Sequence, residues 1–292
     1  SRGLGDVYKR QGYNVVVYVN HLSNYHGIYS IQGNLLVSCG GLKHLNPDII
    51  ITIGGQTGDY SIYNALNLTK NTEHWRVCED GNVVNTYNRL NKIFECPAFY
   101  FFNRMKKDMQ VDHSYYEEWK NMNSTMNYNV EVPFSNLYVA QQLYKDIPQN
   151  SIMNFAILNS LRSWSYFPLN TSIQGYANVA AFGIDGCNSM LIGESMNTNE
   201  FCFIVTGDLA FFYDMNALGI RHIKNNVRIL LVNNNGGAEF KIMTKKWKDN
   251  VNVDNFISAN GHNGNAKGWA ENCGFKYCLL YTSPSPRDRQ KS

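Results

Sequence analysis

Short runs of consecutive apolar residues, each closed by Gly, Asn or Pro, recur along the chain and alternate with longer mixed segments. In the first half they are NVVVYV (14–19), NLLVSCG (34–40), DIIITIGG (48–55) and HWRVCED (74–80). Such runs without strict alternation predict strands buried on both faces, with crossover helices between them. Helical segments are expected at SYYEEWKNMNSTM (114–126) and PFSNLYVAQQLYKDIPQ (133–149). The charged, Asn-rich stretch 104–132 is poor in strand signals and predicts a connector between two units. The second unit is expected from Ser151, with a strand at NFAILN (154–159) and a glycine-bearing turn into a helix at AAFGIDGCNSMLIGES (180–195). EFCFIVTGD (200–208) and VRILLVNNN (227–235) follow as buried strands, with helical spacing in FFYDMNALGIRHIKN (211–225) between them. The pattern is α/β, two parallel-sheet domains, without internal repeats.

Composition narrows this little. The 292 residues are 44% hydrophobic and 17% charged, enough for one large or two ordinary α/β domains. No apolar run is long enough to span a membrane. The seven cysteines include no CxxC pair, the pattern of reduced thiols in a cytoplasmic protein rather than of a disulfide framework or zinc site. The histidines show no HxH or HExxH spacing.

The chain ends change the charge argument. SRGLGDVYKRQ (1–11) and CLLYTSPSPRDRQKS (278–292) resemble translated sequencing adapters, and neither is expected to contribute to the fold. Each carries a net +2, so removing both from the formal +3 leaves about −1 for residues 12–277. The apparent basicity therefore argues for no nucleic-acid partner.

The chemistry concentrates at two strand ends. Asp208 closes FIVTGD, and Asn233, Asn234 and Asn235 close VRILLV before Gly236 and Gly237. One strand, one helix and the next strand separate them, so both fall on the carboxyl rim of a parallel sheet, where such folds bind ligands. A carboxylate, an amide oxygen and a turn carbonyl are hard oxygen donors suited to Mg2+. Glycines at 207, 236 and 237 let backbone approach a phosphate, and a helix opening near Phe211 offers its N-terminus to the anion. The bland alternative is a turn-rich strand end with an N-capping Asp.

Gly-Asp, a helix and a strand ending in Asn-Asn, with 26 residues from Asp208 to Asn234, resembles the diphosphate-binding motif of thiamine diphosphate enzymes. GDLAFFYDMNAL (207–218) with NNNGG (233–237) is similar to the MenD family of menaquinone-pathway synthases. ILNSL (157–161) and NVAAFGIDG (178–186) add to the likeness, and DIIITIGGQTG and TEHWRVCEDG extend it loosely into the first half. The resemblance implies a Rossmann-like middle domain at 12–130, a linker at 131–150 and a truncated thiamine-diphosphate-binding domain at 151–277. It implies Mg2+ held by Asp208, the Asn234 side chain and the Gly236 carbonyl, with Gly207, Leu209 and Ala210 lining the diphosphate. Ile184, flanked by Gly183, would be the bulky residue beneath the cofactor. Ser160 and Arg162 are the substrate candidates. The glutamate that activates the cofactor is expected in an N-terminal domain preceding Gly12, reaching the site across a homodimer or tetramer, so no catalytic residue is assigned within this chain.

Departures from the family pattern bear on the substrate. Trp164 and Val179 stand where the family places arginines that grip substrate carboxylates. Asp59 and Tyr60 replace a frequent basic pair, and Glu239 replaces an apolar residue. The activity implied is that of a thiamine diphosphate- and Mg2+-dependent decarboxylase or carboligase of 2-oxo acids. The menaquinone-pathway reaction is the family default, and a divergent 2-oxo-acid enzyme, for example of surface-polysaccharide synthesis, is the alternative. A non-catalytic cofactor-binding homologue is a rival from another class; a nicotinamide or flavin oxidoreductase lacks its dinucleotide fingerprint. IGGQTG (53–58) reads as a structural turn, and His262 as a loop residue that can border the site.

Overall fold

The computed structural model describes residues 13–55, 58–105, 112–179, 182–239 and 261–280. The first adapter-like stretch lies outside the described residues, as does the second beyond Leu280. Gln56 and Thr57 of the glycine turn, and Ala180 and Ala181 ahead of Gly183, also lie outside them.

Two compact units divide the chain, one reaching to Tyr128 and including Ser165–Thr171, the other taking Asn129–Trp164 and the rest. In the first, β1 (Val17–Tyr18) pairs with β2 (Ser30–Ile31), and β3 (Ile49–Ile53), β4 (Glu73–Cys78) and β5 (Leu90–Glu95) form a second sheet in that order. Its helices are α1 (Asn34–Ser38), α2 (Tyr60–Asn67), α3 (Ala98–Arg104) and α4 (Ser114–Ser124). In the second unit α5 (Asn136–Leu143) precedes β6 (Ile152–Phe155), followed by α6 (Asn159–Trp164), β7 (Gln174–Tyr176), α7 (Cys187–Met196), β8 (Cys202–Gly207), α8 (Asp208–Tyr213), β9 (Val227–Val232) and α9 (Lys267–Asn272). The strand order is β7-β6-β8-β9. Every described strand pair is parallel, and the fold is α/β.

Several elements differ from the sequence pattern for identifiable reasons. NLLVSCG is helix α1, not a strand: Leu36 and Val37 enter a core with Ile31, Ile62 and Trp119, and Gly40, at φ 87°, stops the helix. A short apolar run satisfies either periodicity. The stretch 104–132 is more than a connector, because α4 seats Trp119 in that core. The 211–225 segment is not one helix: α8 starts earlier, at Asp208, and Met215–Gly219 forms a separate 3-10 turn. The isoleucine-rich β3 leaves one face open in its unit, with Ile49 43% and Ile51 37% exposed. Asp59 caps α2, accepting from the Ser61 and Ile62 amides, the Tyr18 hydroxyl at 2.8 Å and the Asn34 amide at 2.6 Å.

The second unit centres on β8, whose run CFIVTG is buried at Cys202, Ile204, Val205 and Thr206, as expected of a central parallel strand. Ala156, Leu191, Ile192, Ile204 and Ala210 share one cluster, which packs α7 and the start of α8 against the sheet. Asn154 on β6 donates to Glu194 on α7 at 2.7 Å. Burial raises the Glu194 carboxyl above its ordinary value, and the Asn154 hydrogen bond offsets only part of this.

Two predictions follow from this packing. Burial, reinforced by nearby carboxylates, pushes the Cys187 and Cys202 thiols up to about 11, whereas Cys39 and Cys278 are exposed. In native protein near pH 7.5 the first two should alkylate on the order of 100-fold more slowly than the exposed pair, because the thiolate is the nucleophile. Denaturant should abolish the difference, and site-resolved mass spectrometry after pulsed labelling reads both. For Glu194, the raised folded value means the folded state holds the proton more tightly. That contribution is complete below the unfolded value of about 4.3 and is lost as pH rises through the folded one. E194Q should therefore be at least as stable as the parent at pH 7, and its relative advantage should shrink toward pH 4.5. Urea midpoints falling in the opposite order would contradict the assignment.

Candidate functional site

β8 and β9 are in register from Cys202↔Val227 to Gly207↔Val232, so both strands end at the same level. Asp208 follows immediately on one, and the Asn233–Gly237 turn on the other. This is the rim on which the sequence places its hard oxygen donors.

Asp208 is only 2% exposed, and two backbone amides and a histidine ring meet its carboxylate. Its Oδ1 accepts from the Leu209 amide at 2.8 Å, and its Oδ2 from the Gly236 amide at 2.9 Å. The second bond pins the Asn-Asn-Asn-Gly-Gly turn onto the end of β8. Asn235 at φ 62° and Gly236 at φ 151° make the reversal, which Asn233 braces by accepting from the Asn235 amide and donating to the Gly264 carbonyl. Asn234 projects as an exposed side chain from the same turn.

His262 completes the arrangement. Its Nε2 lies 2.9 Å from Asp208 Oδ2, while its Nδ1 accepts from the Gly264 amide at 3.1 Å. A ring nitrogen that accepts carries no proton, so the neutral tautomer places the hydrogen on Nε2, donating to Asp208. Phe212 packs edge-on against the ring. The sequence separation of 54 between His262 and Asp208 hides this contact from any local motif. The only sequence signal was position in the loop downstream of the glycine turn.

The remaining candidates lie in the same unit. Ile184 is partly buried against the apolar cluster that also holds Ala210. Asn178 donates to the Asp185 carbonyl at 3.0 Å, and Gly186, at φ 73°, opens α7. Asn188 donates to the Phe211 carbonyl, and Asp214 accepts from both the amide and hydroxyl of Ser189 at 2.6 and 2.7 Å. These bonds clamp α7 to α8. Asp214 is thereby a packing residue.

Ser160 and Arg162 lie on α6, directly after β6. Ser160 is buried. Arg162 forms a two-pronged pair with Glu239, Nη1 to Oε2 at 3.2 Å and Nη2 to Oε1 at 3.1 Å. Trp164 is buried against Phe155 and is a core residue.

The donor set fits a divalent cation. An ionised carboxylate has about four acceptor positions, and Asp208 uses three of them on the Leu209 and Gly236 amides and His262. The turn tied to it through the Gly236 amide carries the Asn234 side chain and the Gly236 carbonyl as further oxygen donors. A Cβ built on Gly207 meets nothing within 4 Å, so open space adjoins the strand end. Among the described residues no group of three or more His, Cys, Asp or Glu gathers, so a cation here would depend on amide and carbonyl oxygens. No helix among the described residues is long and apolar enough to cross a membrane.

No family model matches the chain. Curated proteins do. The 2-succinyl-5-enolpyruvyl-6-hydroxy-3-cyclohexene-1-carboxylate synthase of Bacteroides thetaiotaomicron is 32% identical over 235 residues, covering 80% of this chain and 42% of its own length. The synthase of the same name from Christiangramia forsetii is 33% identical over 249 residues, with 80% and 41% covered. That of Flavobacterium johnsoniae is 28% identical over 207 residues, with 69% and 37% covered. The chain thus spans about two fifths of the length of these relatives. Over that span the chain is a MenD-like fragment, similar to the 2-succinyl-5-enolpyruvyl-6-hydroxy-3-cyclohexene-1-carboxylate synthases.

Proposed function

We propose that the second unit binds thiamine diphosphate through Mg2+, and that the whole protein is a thiamine diphosphate-dependent enzyme acting on a 2-oxo acid. The observation that carries this reading is the buried Asp208 carboxylate, tied to the Gly236 amide at 2.9 Å, on the end of the central strand. The likeness to the synthases supports it.

Asp208, the Asn234 side-chain oxygen and the Gly236 carbonyl would hold the cation, whose charge would offset that of the diphosphate. Gly207, Leu209 and Ala210 line the diphosphate, because the strand-to-helix turn keeps side chains out of its way at Gly207. Gly183 and Ile184 supply the apolar support beneath the cofactor, Ile184 being fixed by the Ala210 cluster. His262 orients the Asp208 carboxylate through Nε2. Thiamine diphosphate, when bound, would supply an electron sink for the pair released as the carboxylate leaves the 2-oxo carbon as CO2. The α7–α8 clamp holds the turn residues in place meanwhile. The glutamate that activates the cofactor is assigned to a preceding domain, supplied across a cytoplasmic homodimer or tetramer. Menaquinone-pathway synthesis is the family default for the reaction. The arginine replacements at Trp164 and Val179 favour a divergent 2-oxo-acid decarboxylase or carboligase as the second reading.

Calorimetry on this chain should find thiamine diphosphate binding that requires Mg2+ and disappears with a chelator. D208N should weaken it at least about ten-fold, because the carboxylate charge is lost. The same variant should lose roughly 1–3 kcal/mol of stability, since an amide NH2 would face the Leu209 or Gly236 N–H. N234A should weaken binding without that stability loss. Binding indifferent to Mg2+ and to Asp208 would overturn the proposal. Release of CO2 from 2-oxo acids by the protein of the complete gene, dependent on both additives, separates an enzyme from a cofactor-binding homologue.

A further inference from the structure

The Arg162–Glu239 pair is a polar contact at this rim that the cofactor assignment does not use. Arg162 follows β6 and Glu239 follows β9, and β8 runs between those strands. The pair therefore reaches across the strand end that carries Asp208. Both terminal guanidinium nitrogens meet the two carboxylate oxygens, at 3.2 and 3.1 Å, and each side chain is only 19% exposed. The Asn159 side chain also accepts from Nη1, at 3.3 Å, fixing the guanidinium from its own helix.

Two parallel N–H···O bonds in a partly desolvated setting are how a guanidinium takes the carboxylate of a ligand. Here the chain fills that fork with a carboxylate of its own. Ligands of open parallel sheets sit outside the strand carboxyl ends, where this pair lies. A ligand bringing a second carboxylate there would meet Glu239 as a like charge, and would have to displace it to reach Arg162. Both are costs that an uncharged ligand group escapes.

We propose that Glu239 is a specificity-determining residue. By occupying the fork of Arg162 it selects 2-oxo acids whose remainder is uncharged and rejects 2-oxo dicarboxylic acids. This rests on the 2-oxo-acid reading above and narrows its substrate class. Arg162 is neutralised and held, not offered to substrate, so it does not replace the arginines absent at Trp164 and Val179.

The test is calorimetry on the full chain with 2-oxobutyrate and 2-oxoglutarate, for the parent, E239Q and R162Q/E239Q, with and without thiamine diphosphate and Mg2+. Circular dichroism confirms that each variant is folded. The parent should bind 2-oxobutyrate more tightly. E239Q should bind 2-oxoglutarate at least about ten-fold more tightly than the parent does, with 2-oxobutyrate changed by less than about three-fold. The double variant should lose the gain. An unchanged preference in folded E239Q, a gain that persists without Arg162, or no binding of either acid to any of the three would each overturn the proposal. Cofactor binding that fails while the preference still shifts sinks the cofactor reading alone. Cofactor binding that holds while the preference stays put sinks this one alone.

Discussion

A carboxylate removed from water must find hydrogen-bond donors or a counter-charge, because an unpaired buried anion is too costly to keep. Asp208 meets this requirement with the main chain. The amides of Leu209 and Gly236 point at its two oxygens, and His262 adds a third donor. The carboxylate then organises its surroundings. It joins the start of α8 to the turn after β9, and draws in the loop that carries His262. The in-register ends of β8 and β9 make this possible, since a slip of one residue would carry Gly207 away from its partner Val232 and turn alternate side chains to the opposite face.

The second layer of the site rests on that junction. α7 packs over β8 through Leu191 and Ile192, and its first turn is tied to α8 by Asn188 and Ser189. Ile184 lies in the turn that leads through Gly186 into α7. The apolar cluster and the polar clamp thus act on the same two helices, α7 and α8.

The sequence pattern exposes this half of the molecule well. β8 and β9 are long, apolar and closed by unmistakable turn residues, and Asp208 and the Asn-Asn-Asn-Gly-Gly turn are visible as strand-end chemistry. Other elements carry weaker signals. β5, LNKIFE, is half polar because its burial is partial, and β7 is three residues long, too short for any period to register. NLLVSCG misleads because three consecutive apolar residues suit one turn of helix as well as a strand, and only tertiary burial of Leu36 and Val37 decides. At the site, the His262–Asp208 and Arg162–Glu239 contacts join residues 54 and 77 apart, separations that local pattern cannot bridge. Glu239 stood out as an odd residue at its position. Its partner became visible only through the fold.

The two polar anchors of the rim are built from different materials. Asp208 is held largely by peptide groups, which every substitution at Leu209 short of proline preserves, so its geometry is insulated from most drift in neighbouring side chains. The Arg162–Glu239 pair joins two side chains, and a single codon change at either position dissolves it. One face of the same sheet therefore combines a component that mutation can hardly retune with one that it can reset in a step. Variation in a lineage carrying this fold is channelled toward what the site accepts rather than toward how it is assembled.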